Sequence, residues 1–286
     1  MMRKYYPLLF VFTILITIPN ILFAQEEIED SVKYTSIIPN HTELKSIYSN
    51  IVNDEYYLYI KLPKDYNETD IRYPVIYLLD GDIAFTMAWS TVRYLQYGGQ
   101  VPDVIIVGIG YGSLLSSDEE NMRDRDYTIS KLPGSDVSGG AENFINSLKT
   151  EIIPFIDSLY RTNPSERILN GYSLGGLITL YTFLTEGDLF SGYIAGSPYL
   201  PLDKNDLLRL MSLPTEQLKN SKAKLFISYG ELEDKELYAD PINEFIENLG
   251  KNGFKKSQIY KKVFEGGTHF TCPSEAMVYG LKFLFE

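Results

Sequence analysis

Short, uninterrupted apolar runs that alternate with amphipathic stretches constrain the fold of this chain more than any other feature of its sequence. Residues 74–79 (PVIYLL) and 104–109 (VIIVGI) are apolar at nearly every position, as strands buried on both faces of a parallel sheet must be. Because helical segments lie between such runs, the sequence predicts an α/β fold with a mostly parallel central sheet and helices on both faces. Further strands are predicted at residues 168–169, 193–195, 225–229 and 259–264.

The early part of the chain predicts antiparallel strands that precede the parallel ones. Tyr56, Leu58 and Ile60 alternate with side chains of the opposite face, which is the period of two of a strand. The predicted early strands are residues 32–38, 44–52 and 55–63.

Amphipathic segments predict the helices. In residues 141–160, apolar side chains recur at spacings of three and four, which marks a helix with one buried face. Pro154 is expected to interrupt this helix, because proline lacks the N–H that the helix needs. The other helices are predicted near residues 84–97, 174–185, 204–219, 237–250 and 274–285.

The first 24 residues are expected to be a secretory signal peptide. A basic start at Arg3 and Lys4 is followed by a long apolar run that ends at the small residue Ala24. A retained membrane anchor is the alternative, but Pro19 interrupts the run and leaves it short for a bilayer span. We therefore expect export to the periplasm or outside the cell, with no stable membrane insertion after cleavage.

The charge and the counts of cysteine and histidine disfavour or exclude several kinds of partner and site. The 286 residues carry 38 acidic and 26 basic side chains, a net charge of −12, and such a surface disfavours nucleic acid as a partner. One cysteine and two histidines exclude an internal disulfide, a cysteine-based metal centre and a histidine-rich one. We expect residues 25–286 to form a single domain that needs no metal and no organic cofactor.

Residues 171–175, Gly-Tyr-Ser-Leu-Gly, match the GxSxG pattern of a nucleophile elbow. They follow a short predicted strand and precede a predicted helix, which is the context that this motif requires. Such a turn holds Ser173 in a strained conformation and exposes its hydroxyl at the carboxyl edge of the sheet. The N–H of Leu174, in the first turn of the helix, points to the same place and can bind an oxyanion. A chance match of the pattern is the alternative.

A serine hydroxyl attacks well only when a base takes its proton, and His269 is the single histidine downstream of Ser173. It lies in a glycine-rich loop after the last predicted strand, from which it can reach back over the sheet edge. A satisfied loop histidine is the alternative. His41 lies among the early strands, where we expect a surface or packing role.

The acid that orients the histidine is expected after the strand at 225–229. Three carboxylates follow within a few residues. We favour Glu233 because it lies three positions past Gly230, where the chain has reversed direction and the side chain can point at the histidine. Asp234 and Glu231 remain alternatives. The chosen acid would hold His269 in the useful tautomer and stabilise its cationic form.

A second oxyanion donor is expected after the strand at 74–79, where Gly81 lets the chain turn. The candidates are the backbone N–H groups of Asp82 and Ile83. Capping of the following helix is the alternative role for the Asp82 side chain. Cys272 has no elbow of its own, so we expect it to be a small buried residue.

With these residues assigned, the chain resembles the esterase branch of the α/β-hydrolases. That branch includes enterochelin-type siderophore esterases, feruloyl and acetyl-xylan esterases, S-formylglutathione hydrolase and mycolyltransferases. The resemblance implies an α/β-hydrolase fold and a serine esterase with Ser173, Glu233 and His269 as its catalytic triad. The matching segments follow the family's order and are residues 75–81, 107–111, 123–128, 168–176, 195–198, 230–233 and 267–269.

Residues 123–128 are similar to a loop that borders the substrate cleft in the siderophore-esterase subgroup. The resemblance implies substrate contacts for Arg123, Arg125 and Tyr172. Salt bridges to nearby acids are the alternative for the two arginines.

The sequence thus predicts an exported serine esterase that cleaves a small-molecule or glycan ester through an acyl-serine. Transfer of the acyl group to a sugar or lipid alcohol needs the same triad and remains an alternative. A non-catalytic binding protein on the same scaffold is a second alternative. The loops expected to shape the substrate pocket are residues 84–97, 111–140 and 198–220.

Overall fold

The computed structural model describes residues 40–113, 119–212 and 221–286, without the side chains of Ser212 and Lys256. All of these lie in one compact unit, Asn40–Glu286. Several predictions fall outside the described residues: the signal peptide at 1–24, the strand at 32–38, part of the pocket wall at 114–118 and the end of the helix at 213–219.

Eight strands of the described residues form one sheet. They are β1 (Thr42–Ser49), β2 (Asp54–Lys61), β3 (Tyr73–Leu78), β4 (Ile105–Gly110), β5 (Thr162–Tyr172), β6 (Gly192–Gly196), β7 (Lys224–Gly230) and β8 (Ile259–Phe264). Their order across the sheet is β1-β2-β4-β3-β5-β6-β7-β8. The pairs β1–β2 and β2–β4 are antiparallel and the other neighbours are parallel, which confirms the predicted architecture.

Helices follow most of the parallel strands. They are α1 (Gly81–Tyr97), α2 (Arg123–Tyr127), α3 (Ala141–Ser147), α4 (Ile153–Leu159), α5 (Leu174–Thr185), α6 (Lys204–Ser212), α7 (Asp240–Lys251) and α8 (Pro273–Phe285). α2 lies where the sequence predicts a loop, because five residues are too few to show a helical period. No helix in the described part of the chain is long and apolar enough to cross a membrane.

The predicted interruption at Pro154 takes the form of a wide turn. A π-helical segment, Leu148–Ile152, joins α3 to α4, and Pro154 stands in the first turn of α4. Proline has no N–H to give to the preceding turn, so the chain widens there and continues as a helix.

The sheet is buried on both faces, and its alternating side chains divide between two apolar clusters. Val75 and Tyr77 of β3 belong to the cluster packed against α3 to α7, whereas Ile76 and Leu78 belong to the cluster packed against α1 and α8. Helices therefore cover both faces, as the continuous apolar runs predict.

Three non-glycine residues with positive φ lie at the carboxyl edge of this sheet. Asp80 follows β3 with a φ of 55°, Ser173 follows β5 with 59°, and Ser197 follows β6 with 38°. Side chains rarely adopt such a backbone, and it persists only where the surroundings enforce it. The strain is thus concentrated at the edge where the candidate nucleophile lies.

Close backbone packing makes glycine necessary inside the elbow. A Cβ atom at Gly171 would overlap the carbonyl group of Gly175, so β5 and the start of α5 approach each other too closely for a side chain. Gly250 offers a contrast, because it lies exposed in α7 with no atom within 4 Å of a Cβ placed there.

We expect Gly171→Ala to lower the free energy of unfolding by about 3 kcal/mol, because the new methyl group forces backbone apart. Gly250→Ala is the matched control, and it should stabilise the protein by up to about 1 kcal/mol through helix propensity. Chemical denaturation followed by circular dichroism measures both values. Equal unfolding free energies for the two variants would contradict the close approach at Gly171.

Candidate active site

The elbow holds Ser173 through its backbone and leaves its side chain to face a cleft. The Ser173 N–H donates to the carbonyl oxygen of Gly196 at 2.9 Å, and its carbonyl oxygen accepts from the N–H groups of Leu177 and Tyr199. Its φ of 59° and ψ of −119° match the strained turn that the motif predicts. Ser173 lines a cleft of about 650 Å³ at the carboxyl edge of the sheet.

A hydrogen bond joins His269 to Glu233. The distance from His269 Nδ1 to Glu233 Oε1 is 2.5 Å, and the Glu233 side chain is 1% exposed. The other carboxylate oxygen, Oε2, accepts from the N–H of Gly230 at 2.7 Å and from Ser197 Oγ at 2.9 Å. Three donors therefore fix the orientation of this carboxylate, which in turn fixes the imidazole ring.

The two rival carboxylates are occupied elsewhere. Asp234 accepts from the N–H groups of Glu236 and Leu237 and so caps the π-helical turn Lys235–Ala239. Glu231 accepts from the N–H of Gly266 at 2.9 Å. Of the three alternatives left open by the sequence, the structure brings Glu233 to the histidine.

Glu233 and His269 meet because the turns after β7 and β8 pack directly on each other. The N–H of Leu232 donates to the carbonyl oxygen of Gly267 at 2.9 Å. A Cβ atom at Gly230 would collide with that same Gly267 carbonyl, so a side chain there would push the two turns apart.

Tyrosine rings flank the imidazole of His269. The Tyr172 and Tyr238 rings lie 5.2 Å and 5.0 Å from it, centroid to centroid. Tyr172 Oη donates to the His269 carbonyl oxygen at 2.8 Å and lies 2.9 Å from Ser197 Oγ. Burial raises the pKa of Tyr238 to about 12 and also raises the pKa of Tyr172, so both phenols stay protonated at neutral pH. His41 lies exposed in the turn before β1.

His269 and Ser173 line the same cleft. No hydrogen bond between the described residues joins the Ser173 hydroxyl to the His269 ring. Contacts of this kind are often long in unliganded hydrolases and shorten when substrate binds.

The two backbone N–H groups predicted to bind the oxyanion belong to Leu174 and Asp82. Leu174 and Asp82 lie in the first turns of α5 and α1, where N–H groups have no acceptor within the helix. The N–H of Ile83 donates to the carbonyl oxygen of Asp80 at 3.0 Å, which favours Asp82 over Ile83 as the second donor.

The Asp82 side chain does not cap α1. Its carboxylate accepts from Tyr59 Oη at 2.7 Å and from the N–H groups of Tyr111 and Gly112 at 2.7 and 2.9 Å. It therefore ties the start of α1 to β2 and to the chain that leaves β4.

Arg123 lines the cleft but is held by the protein itself. Its Nε lies 2.7 Å from Asp80 Oδ1, and its Nη2 lies 3.2 Å from both Asp80 Oδ2 and the carbonyl oxygen of Tyr172. The guanidinium thus joins the turn after β3 to the residue that precedes Ser173. The salt-bridge alternative applies, although the partner is Asp80 rather than an acid near Arg123 in sequence.

Arg125 is not among the cleft-lining residues. Its guanidinium forms ion pairs of 2.7 Å with Asp54 and with the fully buried Asp126. The structure therefore places Arg125 in the framework behind the cleft and not at the substrate contact that the resemblance implies. Cys272 is fully buried, as expected.

Two residues of the site, Asp80 and Ser197, were not predicted from the sequence. Asp80 binds Arg123, and Ser197 donates to Glu233. Asp80 directly follows the predicted strand at 74–79, and Ser197 lies two residues after the predicted strand at 193–195. A polar residue at the end of a strand is the signal that could have identified them.

The short contact between His269 Nδ1 and Glu233 predicts a far-downfield proton resonance for the imidazole N–H. In Glu233→Gln this resonance should move upfield, because a neutral amide accepts a weaker hydrogen bond. Glu231→Gln, which removes a neighbouring carboxylate that holds Gly266, should leave it in place. Proton NMR of the three proteins measures the shift, and an equal change in both variants would contradict the pairing.

Comparisons with known proteins identify the family of this chain. Residues 49–271 match a protein-family model described as "Putative esterase". The ferri-bacillibactin esterase of Bacillus subtilis is 31% identical over 226 residues, which are 73% of this chain and 77% of that protein.

Solved structures of similar proteins share the fold. The crystal structure of the BES protein from Bacillus cereus has a TM-score of 0.76 at 27% identity and covers 90% of this chain and 99% of that one. An IroE-like serine hydrolase from Shewanella oneidensis has a TM-score of 0.73 at 27% identity and covers 85% of this chain and 80% of that one. The family model spans well over half of the sequence, and this chain therefore belongs to that esterase family, as a serine carboxylic ester hydrolase with an α/β-hydrolase fold.

Proposed function

We propose that this protein is an exported serine esterase in which Ser173, His269 and Glu233 form the catalytic triad. The observation that carries the proposal is the 2.5 Å contact between His269 Nδ1 and Glu233, at the edge of the cleft that Ser173 also lines. Because Nδ1 is bound to the carboxylate, Nε2 is the ring nitrogen left to exchange a proton with the serine.

In the first half-reaction the Ser173 hydroxyl oxygen attacks the carbonyl carbon of the ester while His269 Nε2 takes its proton. The bond from that carbon to the alcohol oxygen then breaks, and the imidazolium returns the proton to the leaving alcohol. Water repeats the sequence on the acyl-serine, so the acid is released and Ser173 regains its proton. Glu233 stabilises the imidazolium in both halves.

The N–H groups of Leu174 and Asp82 are assigned to the oxyanion of each tetrahedral intermediate. They come from the first turns of α5 and α1, so the dipoles of two helices favour negative charge between them. The hydrogen bonds that Arg123 makes to Asp80 and to the Tyr172 carbonyl fix the spacing of the two turns.

We assign siderophore-type esters as the substrate class within small-molecule esters. The similar protein of Bacillus subtilis is named for the hydrolysis of a siderophore, ferri-bacillibactin, and supports this assignment. Export is supported by the composition of residues 1–24. Transfer to an alcohol passes through the same acyl-serine, and product analysis with an added alcohol distinguishes it from hydrolysis.

We expect Ser173→Ala to lose hydrolysis of p-nitrophenyl acetate by about 10⁴-fold or more in kcat, since no other group takes the place of the nucleophile. Diisopropyl fluorophosphate should label the native protein at Ser173 and leave the variant unlabelled, as mass spectrometry would report. Ser158→Ala, at an exposed serine of α4, is the control and should keep full activity. Retained hydrolysis in Ser173→Ala would overturn the assignment of the nucleophile.

Glu233→Gln should lower kcat by about 10²- to 10⁴-fold, because the amide favours the wrong tautomer of His269 and cannot stabilise its cation. Glu231→Gln and Asp234→Asn should each stay within about threefold of the native enzyme. Steady-state kinetics with p-nitrophenyl acetate measure the three variants. A larger loss in either control than in Glu233→Gln would assign the acid elsewhere.

A further inference from the structure

The charges that line the cleft do not favour an anionic ligand. Arg123 is the sole lysine or arginine among its described lining residues, and the Asp80 carboxylate already binds it through two N–H groups. A third bond goes to the Tyr172 carbonyl, and the Arg123 side chain is 21% exposed. An incoming carboxylate would therefore have to compete with an internal partner for this guanidinium.

A second carboxylate, that of Asp82, lines the same cleft and has no cationic partner among the residues that the structure describes. Its carboxylate accepts hydrogen bonds from one tyrosine hydroxyl and from two backbone N–H groups. Asp80 and Asp82 against Arg123 leave the described lining with a formal charge of −1.

Other residues that line the cleft are apolar. Ile83 is 65% exposed and Phe270 is 90% exposed, and Met87 and Pro273 also line the cleft. Such side chains bind hydrocarbon through the hydrophobic effect and give a charged group no compensation for its lost water.

We propose that the active site is selective for esters that carry no negative charge near the scissile bond. The proposal rests on the proposed function, since it describes which esters reach Ser173. A carboxylate on the acyl chain is repelled by Asp82 and finds Arg123 already paired. An uncharged acyl chain of the same size meets apolar surface and pays no such penalty.

Two p-nitrophenyl esters of equal length test the selectivity. Mono-p-nitrophenyl adipate ends in a carboxylate, and p-nitrophenyl adipamate ends in the isosteric carboxamide. We expect kcat/KM to be about 5- to 20-fold lower for the carboxylate at low ionic strength. The ratio should approach one as NaCl rises from about 10 mM to about 0.5 M, because salt screens the repulsion.

Substitutions that add a charge test whether the discrimination between the two esters arises at the cleft. Ile83→Lys places a cation on the exposed rim and should shift the ratio toward the carboxylate ester by at least about threefold. Ile83→Gln removes the same apolar side chain without adding charge and should keep the native ratio. Ile71→Lys adds the same charge at an exposed site before β3, away from the cleft, and should also keep it.

The outcomes separate the two proposals. If neither ester is hydrolysed, the proposed function fails. If both are hydrolysed and the carboxylate ester is as fast as the amide at low salt, the esterase stands and the charge selectivity is overturned. An equal shift of the ratio in Ile83→Lys and Ile71→Lys would also overturn it, because the discrimination would then come from the net charge of the whole chain.

Discussion

The contact between the turns after β7 and β8 is the constraint on which the site depends. Glycine at 230 lets the two backbones touch, and the hydrogen bond from the Leu232 N–H to the Gly267 carbonyl oxygen holds them there. Only with the turns at this distance can a carboxylate on one reach an imidazole on the other at 2.5 Å. The sheet supplies this proximity because β7 and β8 are parallel neighbours whose carboxyl ends coincide.

Polar contacts at the edge of the sheet restrain the strained turns around that contact. Asp80, Ser173 and Ser197 each follow a different strand with positive φ, and each is fixed by a neighbour across the edge. Arg123 joins two of these turns through Asp80 and the Tyr172 carbonyl. The ion pair between Arg123 and Asp80 that holds the turns also leaves the described lining of the cleft without a free guanidinium. The proposed preference for uncharged esters therefore follows from the same ion pair that stabilises the turns.

Much of this arrangement follows from sequence because its signals are local. Uninterrupted apolar runs identify the parallel strands, and the GxSxG pattern between a strand and a helix identifies the turn at Ser173. The sequence alone could not identify the carboxylate that pairs with His269. Glu231, Glu233 and Asp234 differ only in where their side chains point once the turn has folded. The partner of Arg123 lies 43 residues away, and the sequence between them carries no periodic signal for that pairing.

One tryptophan and one histidine allow the folding of this enzyme to be followed at two separate positions in the structure. Trp89, the sole tryptophan of the sequence, lies in α1 and packs against the cluster that α1 shares with α8. His269 follows β8, at the far edge of the sheet. Intrinsic fluorescence therefore monitors the docking of α1, whereas recovered ester cleavage monitors completion of the β7–β8 edge. A refolding reaction in which fluorescence recovers before catalysis would reveal the order in which the two parts of the sheet consolidate.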